Sequence, residues 1–87
     1  MSWRVALSPE AAEWLRKADP QVARRIRDAL RMVASLDDPR SRGKGLTAGL
    51  AGLWRYRVGD YRVICDIRDR ELVILALDVG KRDEVYG

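Results

Sequence analysis

The sequence contains no histidine, a single cysteine and no long apolar run, and each scarcity excludes a class of function. Cys65 alone cannot form an internal disulfide, and one thiol without histidine leaves the usual zinc sites out of reach. The chain also lacks the commonest general acid and base at neutral pH, and with it the serine triads. Any catalysis must therefore use Arg, Lys, Tyr, Asp or Glu, and we expect neither a metal ion nor another cofactor.

Apolar residues never form a run near the roughly 20 that a bilayer-spanning helix needs. The opening residues, MSWRVALSPE, lack the apolar stretch of a secretory signal, so we expect a cytoplasmic protein without a membrane partner. With 87 residues, the chain has room for one domain, and we expect residues 1–87 to form it. Such a domain is too small for a large substrate pocket.

Positive charge is concentrated in one part of the chain. In total, 17 Lys and Arg against 13 Asp and Glu give a net charge of +4. Between residues 40 and 62 there are six basic residues and one acidic residue, so this stretch alone carries +5. The six are Arg40, Arg42, Lys44, Arg55, Arg57 and Arg62. A local basic field favours a polyanionic partner, although basic patches also serve solubility.

The first part of the chain has the pattern of a strand followed by two helices. Residues 3–7 alternate between apolar and other positions, which predicts a half-buried strand. Ser8-Pro9 and Asp19-Pro20 each combine an N-cap residue with a proline suited to the first helical position. Apolar residues at helical spacing follow both, predicting a short helix through Ala18 and a second helix ending near Leu36. The arginines of the second helix are expected on its solvated face rather than against RNA. They are Arg24, Arg25, Arg27 and Arg31.

Three strands are predicted after a loop that ends at Gly52 and contains four glycines. They cover residues 53–58, 61–67 and 72–78. The last strand is apolar at both alternating sets of positions, as in a central strand covered on both faces. The whole pattern predicts an α+β domain in which a strand and two helices precede a three-strand antiparallel meander. We expect both helices on one face of a mostly antiparallel four-stranded sheet.

The hairpin around Gly59-Asp60 carries the most specific chemistry. A two-residue turn of type II′ there places Arg57 opposite Arg62, and strand alternation puts Arg55 on the same face. Like charges directly opposite each other are unfavourable, and an anion between them would resolve the repulsion. A phosphodiester suits this role because guanidinium is a planar donor fork that stays charged. The alternatives are pairing with carboxylates elsewhere or extension into solvent.

Tyrosines of the same hairpin are expected to behave differently. Because side chains alternate along a strand, Tyr56 and Tyr61 fall on the face away from the arginines. We therefore predict that they belong to the core rather than to a base-stacking surface. After the last strand the chain adds two more cations and an aromatic residue, Lys81, Arg82 and Tyr86.

As a whole, the sequence resembles the RelE/ParE superfamily of toxins, and the RelE branch in particular. The resemblance covers nearly the full chain and is fairly specific, because several short motifs recur in order and at the right spacing. They are the strand-helix-helix opening, Leu53-Trp54-Arg55-Tyr56-Arg57, Gly59-Asp60-Tyr61-Arg62-Val63, and Val79-Gly80-Lys81-Arg82 with Glu84-Val85-Tyr86.

This resemblance implies a RelE-like microbial RNase fold and a toxin of a type II toxin–antitoxin system that enters the ribosomal A site and cuts messenger RNA. In that family the messenger's own 2′-hydroxyl attacks the adjacent phosphate, leaving a cyclic phosphate and a free 5′-hydroxyl. By position, it implies catalytic roles for Arg55, Arg57, Arg62, Arg82 and Tyr86, with Lys81 and Lys44 as further contacts to RNA phosphates.

The roles implied by the resemblance differ among these residues. Arg62 and Arg82 would stabilise charge on the phosphate and at the leaving oxygen, and Tyr86 would stack on a base. RelE members often carry lysine where this chain has Arg55 and Arg57. Because arginine hardly loses its proton, Arg57 is a poor general base, and we expect positioning and electrostatic stabilisation to supply most of the acceleration.

The implied partners are a cognate antitoxin, an acidic polypeptide with an amphipathic helix, and the 30S A site with its messenger. Operator DNA would be reached only through the antitoxin complex. Two other functions stay open at this point. One is a ParE-like toxin that inhibits DNA gyrase without nuclease activity. The other is a decayed toxin that acts only as a module binding its partner and operator.

Overall fold

Five strands and two helices make up residues 3–81, the part of the chain that the computed structural model describes. In chain order they are β1 (Arg4–Leu7), α1 (Pro9–Lys17), α2 (Pro20–Ala34), β2 (Lys44–Gly45), β3 (Trp54–Val58), β4 (Tyr61–Arg68) and β5 (Val73–Lys81). Single 3₁₀ turns at Pro39–Ser41 and Ala48–Leu50 flank β2. Within residues 3–81, neither helix is long and apolar enough to cross a membrane.

The strands form one mixed sheet in the order β1-β5-β4-β3-β2. β1 pairs in parallel with β5, and every other neighbouring pair is antiparallel. The pairing of β4 with β5 shifts by one residue between Ile64 and Cys65, which leaves Leu77 of β5 as an extra residue in a β-bulge. The predicted α+β class with helices on a mostly antiparallel sheet is confirmed.

Helix starts follow the capping signals in the sequence. The Ser8 hydroxyl accepts a hydrogen bond from the Ala11 N–H at 3.0 Å and donates one to the Leu77 carbonyl at 2.7 Å. The same side chain therefore caps α1 and fixes its first turn against β5. At α2, the Asp19 carboxylate accepts from the Gln21 N–H at 2.8 Å. Both predicted N-termini are confirmed.

The core lies between the helices and one face of the sheet. Fully buried Leu15, Ile26 and Leu30 of the helices belong to one apolar cluster with buried residues of β3, β4 and β5. β5 is central, as its apolar sequence predicted, but the helices cover only one of its faces within residues 3–81. Leu75 and Leu77 are half-buried. Leu75 lies opposite Asp66, and residues directly opposite each other share a face of the sheet, which here is the face away from the helices.

The predicted four-strand count was wrong by one strand. Lys44-Gly45, expected to belong to a loop, pairs with Arg55 and Trp54 and adds β2 at the edge of the sheet. A two-residue strand is too short to show the alternation by which strands are recognised in sequence, so only the tertiary pairing reveals it.

Candidate nucleic-acid interface

The β3–β4 hairpin has the register that the Gly59-Asp60 turn predicted. Arg57 lies directly opposite Arg62, and Val58 lies opposite Tyr61. Gly59 has a φ of 59°, whereas Asp60 has no positive φ, which is the combination that a type II′ turn requires. The prediction that two arginines face each other across the hairpin is confirmed.

The face of the hairpin toward the helices holds its aromatic residues. Tyr56 is 4% exposed, and its hydroxyl donates a hydrogen bond to the Pro39 carbonyl at 2.7 Å. The Tyr61 ring packs edge-on against Trp14, with centroids 5.6 Å apart and an interplanar angle of 70°. Both tyrosines therefore belong to the core, as predicted, and neither ring is presented for base stacking.

The opposite face gathers four of the predicted site residues around one cavity of about 120 Å³. Besides Gly43, the cavity is lined by Lys44, Arg55, Arg57 and Arg62, which we call the basic face. Lys44 lies opposite Arg55 across β2 and β3, just as Arg57 lies opposite Arg62 across β3 and β4. Since neighbouring strands are about 4.8 Å apart, four cationic side chains start from a small area of the sheet.

Ion pairing distinguishes three of these side chains from Arg40 and Arg68. Arg40 pairs with Asp69 at 2.9 Å, and Arg68 pairs with Asp66 at 3.3 Å. By contrast, Lys44, Arg55 and Arg57 form no ion pair with any carboxylate of residues 3–81. The alternative that these three are neutralised by nearby Asp or Glu is therefore not supported there.

Gly43, which the sequence reasoning passed over, brings Lys44 onto the basic face. Its φ is +80°, and a Cβ at this position would lie 2.5 Å from the Arg55 carbonyl oxygen and 2.6 Å from Trp54 Nε1. Trp54 Nε1 also donates to the Arg42 carbonyl at 2.6 Å. The loop thus lies directly against β3, where only glycine fits. A glycine between two basic residues was the signal available in the sequence.

A second attachment fixes the start of the same loop. Arg40 Nη1 and Nη2 donate to the Asp69 carboxylate at 2.9 and 3.0 Å, in a bidentate geometry. The Arg40 guanidinium holds the pKa of Asp69 below its usual range. Arg40 belongs to the basic stretch of the sequence but not to the basic face. It is paired with Asp69, and it does not line the cavity.

A sequence model of one protein family matches almost the whole chain. It describes the ParE toxin of the parDE type II toxin–antitoxin system and matches residues 5–86. The chain belongs to this toxin family. No curated protein matches the sequence of this toxin.

Solved structures of RelE toxins share the fold of this toxin. The RelBE2 toxin–antitoxin complex of Mycobacterium tuberculosis matches with a TM-score of 0.84 and 25% identity over 97% of this chain and 95% of that one. The RelE–RelB complex of Pyrococcus horikoshii matches with a TM-score of 0.73 and 26% identity over 98% and 100%. The Escherichia coli RelBE complex, at 17% identity, a TM-score of 0.73 and 92% and 96% coverage, shows the fold alone. The resemblance to the RelE/ParE superfamily, with a RelE-like branch, is confirmed.

Two ionisable groups of the toxin near the hairpin are unsuited to acid–base or nucleophilic chemistry. Burial raises the pKa of the Tyr56 phenol well above its ordinary value and raises the pKa of the Cys65 thiol to about 12. Cys65 is fully buried among core residues. Both groups therefore stay protonated at neutral pH, on the face away from the arginines.

Not all predicted site residues meet at the basic face. Lys81 is exposed at the end of β5 and lies opposite Tyr61, whose side chain is on the helix side of the sheet. The bulge at Leu77 shifts the alternation by one residue, so Gly80 rather than Lys81 lies beside Arg62. Predicted site residues Arg82 and Tyr86 lie outside the described residues.

The remaining predictions about the surface concern α2 and metal binding. The four arginines of α2 are exposed, in accord with a solvated helix face. Across residues 3–81 no three Cys, Asp or Glu side chains come together in a group that could hold a metal ion.

Proposed function

We propose that this toxin is a ribosome-dependent endoribonuclease that cuts messenger RNA in the A site and thereby inhibits translation. The observation that carries the proposal is the direct opposition of Arg57 and Arg62 beside the Lys44–Arg55 pair. Four cationic side chains on a small area of the sheet attract a polyanion, and guanidinium groups match phosphate oxygens in geometry. A single-stranded messenger supplies several phosphates at once.

In the proposed reaction the 2′-oxygen of the messenger attacks the neighbouring phosphorus. The bond to the 5′-oxygen breaks, leaving a 2′,3′-cyclic phosphate and a 5′-hydroxyl. Water takes up the proton that the 2′-hydroxyl loses and supplies the proton that the 5′-oxygen gains. The basic face binds the non-bridging oxygens, on which negative charge builds up in the transition state. Following the family resemblance, Arg82 assists the leaving oxygen, Lys81 contacts a phosphate and Tyr86 stacks on a base.

Proton transfer is not the main source of acceleration in this proposal. Arginine keeps its proton at any accessible pH, and the Tyr56 phenol and the Cys65 thiol are buried on the other side of the sheet. Most of the acceleration comes from fixed positive charge and from the in-line geometry that the ribosome imposes on the messenger. Free RNA is therefore a poor substrate. We propose that no metal takes part, because the arginines supply the positive charge that a metal ion would otherwise provide.

The proposed partners follow from the family and from the charge of the surface. The solved structure from M. tuberculosis is a toxin–antitoxin complex, and that from P. horikoshii is a complex of RelE with RelB. We propose a cognate acidic antitoxin with an amphipathic helix for this toxin, and contact with operator DNA only through that complex. The toxin acts in the cytoplasm, where translating ribosomes are found.

Cleavage mapping after induction tests the nuclease. Primer extension on translated messages is expected to show cuts phased with the codons, and these cuts are expected to vanish in an Arg62→Ala, Arg82→Ala double variant. Arg68→Ala is the matched control, because Arg68 lies on the same strand and face but pairs with Asp66. Intact messages in cells whose growth the protein arrests would contradict the nuclease.

Inhibition of DNA gyrase without RNA cleavage is the second candidate, and the ParE description of the matching family favours it. A supercoiling assay with purified gyrase separates the two functions. Full supercoiling at toxin concentrations that stop translation supports the nuclease. Loss of supercoiling that persists in the Arg62→Ala, Arg82→Ala variant supports the gyrase inhibitor.

A further inference from the structure

A second cavity lies on the same side of the sheet as the basic face, and its lining is chemically different. It measures about 290 Å³ and is lined by Glu10, Leu53, Ile64, Leu77 and Asp78. Three of these residues are aliphatic and two are carboxylates. An apolar cavity with a few polar groups is the common form of a site for a small ligand.

The strand register places this cavity directly beside the basic face. Arg55 of β3 is opposite Ile64 of β4, and Ile64 is opposite Asp78 of β5, so the three form one row across the sheet. Two inter-strand spacings separate the ends of this row, which is about 10 Å. A phosphate at Arg55 and a base at Asp78 can therefore belong to the same or to adjacent nucleotides.

The β-bulge builds the cavity. Because Leu77 is the extra residue of β5, it lines the cavity together with Asp78 instead of alternating with it. The Ser8 hydroxyl donates to the Leu77 carbonyl at 2.7 Å, which fixes the bulge and places the first turn of α1, with Glu10, at the rim. The bulge and this hydrogen bond make the cavity a preformed feature of the fold.

The two carboxylates decide what the cavity can hold. Neither Glu10 nor Asp78 forms a hydrogen bond or an ion pair through its side chain within residues 3–81. As acceptors without donors of their own, they repel phosphate and acidic peptides and favour a ligand that donates N–H groups. Their position beside the basic face fits a ligand with an anionic part and a flat donor part, as in a nucleotide.

We propose that this cavity binds a base next to the scissile phosphate and that Asp78 and Glu10 accept hydrogen bonds from its exocyclic amino group. Adenine, cytosine and guanine carry such a group, whereas uracil has a carbonyl oxygen in place of the amino group of cytosine, and a carboxylate repels that oxygen. The cavity then selects against uracil at one position of the cut codon. This inference rests on the proposed ribonuclease function.

The test compares the bases at cut sites for the wild-type toxin, Asp78→Asn and Glu10→Gln on ribosome-bound messengers with randomised A-site codons. The wild type is expected to cut about tenfold less often where uracil occupies one position within two nucleotides of the scissile bond, the size of one good polar contact. Asp78→Asn offers an amide N–H₂ to uracil and is expected to reduce this depletion to about twofold among the cuts that remain. Asp37→Asn, an exposed residue outside the cavity lining, makes the same chemical change and is expected to leave the depletion unchanged.

Failure of the proposed function and failure of this inference give different results in the test. A wild-type toxin that cuts no message overturns the proposed function and this inference with it. Cutting without uracil depletion, or with the same depletion in wild type, Asp78→Asn and Glu10→Gln, overturns the inference alone. If the base distribution is unchanged but Asp78→Asn weakens the complex with the antitoxin, the cavity is an antitoxin contact and the inference is likewise overturned.

Discussion

Arg57 of β3 lies directly opposite Arg62 of β4, on the face of the sheet away from the helices. A sequence selected only for a stable hairpin would place opposite charges or a β-branched pair at such positions, because opposed like charges are destabilising. We attribute this local cost in stability to the proposed binding of RNA, since such conflicts are found at functional sites.

Removing one of these charges is expected to stabilise the free protein and to impair its function. Arg57 is exposed and has no ion pair within residues 3–81, so Arg57→Gln relieves repulsion without breaking a contact there. We expect the free energy of unfolding to rise by about 0.2–1 kcal/mol in urea titrations at low salt, and cleavage to fall. The gain should shrink at 1 M salt, since exposed charges are screened. A loss of stability in Arg57→Gln, with Arg24→Gln on α2 as reference, would speak against the conflict.

Replacing Gly43 is expected to disturb both the loop and the basic face. Alanine at this position must adopt a φ of +80° and would meet the Arg55 carbonyl at 2.5 Å. We expect Gly43→Ala to lower the free energy of unfolding by about 1–3 kcal/mol and to reduce cleavage by displacing Lys44. Gly49→Ala is the control, because a Cβ at Gly49 meets nothing within 4 Å. Equal effects of the two substitutions would show that Gly43 does not position the basic face.

Alkaline pH is expected to destabilise the toxin through Cys65. Burial raises the pKa of this thiol from 9.0 to about 12, so the folded state keeps the proton that the unfolded state loses. The stability from the neutral thiol is complete below pH 9 and is lost as pH rises toward 12. For each pH unit above pH 9, the free energy of unfolding of the wild type should fall by up to about 1.4 kcal/mol more than that of Cys65→Ala.

Thiol labelling tests the burial of Cys65 in a second way. We expect the native protein to resist a thiol reagent at pH 8 and the urea-unfolded protein to react at once. Rapid labelling of the native protein, or identical pH dependence of stability in wild type and Cys65→Ala, would show that this thiol is not buried in the folded chain.

Much of the fold could be predicted from local signals in the sequence. The N-caps Ser8 and Asp19 specified both helix starts, and Gly59-Asp60 specified the register that brings Arg57 and Arg62 together. These features depend on residues close in sequence, whose side-chain chemistry limits the backbone to a few conformations.

The rest depends on contacts between distant residues. β2 forms only because Gly43 lets the loop approach β3, and the bulge at Leu77 has no marker in an unbroken apolar strand. That bulge reverses the alternation at the end of β5, which places Lys81 on the helix side and brings Asp78 into a cavity. The basic face could therefore be predicted from the hairpin, but the cavity beside it could not.

The most direct test of the central claim is single-turnover cleavage on purified ribosomes that hold a messenger with a vacant A site. The wild-type toxin is expected to cut within the A-site codon, to leave a 2′,3′-cyclic phosphate and a 5′-hydroxyl, and to cut the same free RNA far more slowly. Arg62→Ala is expected to reduce the rate on ribosomes about 10²–10³-fold, the effect of removing one group that stabilises the transition state. An uncut messenger on ribosomes that have bound the wild-type toxin would contradict the account.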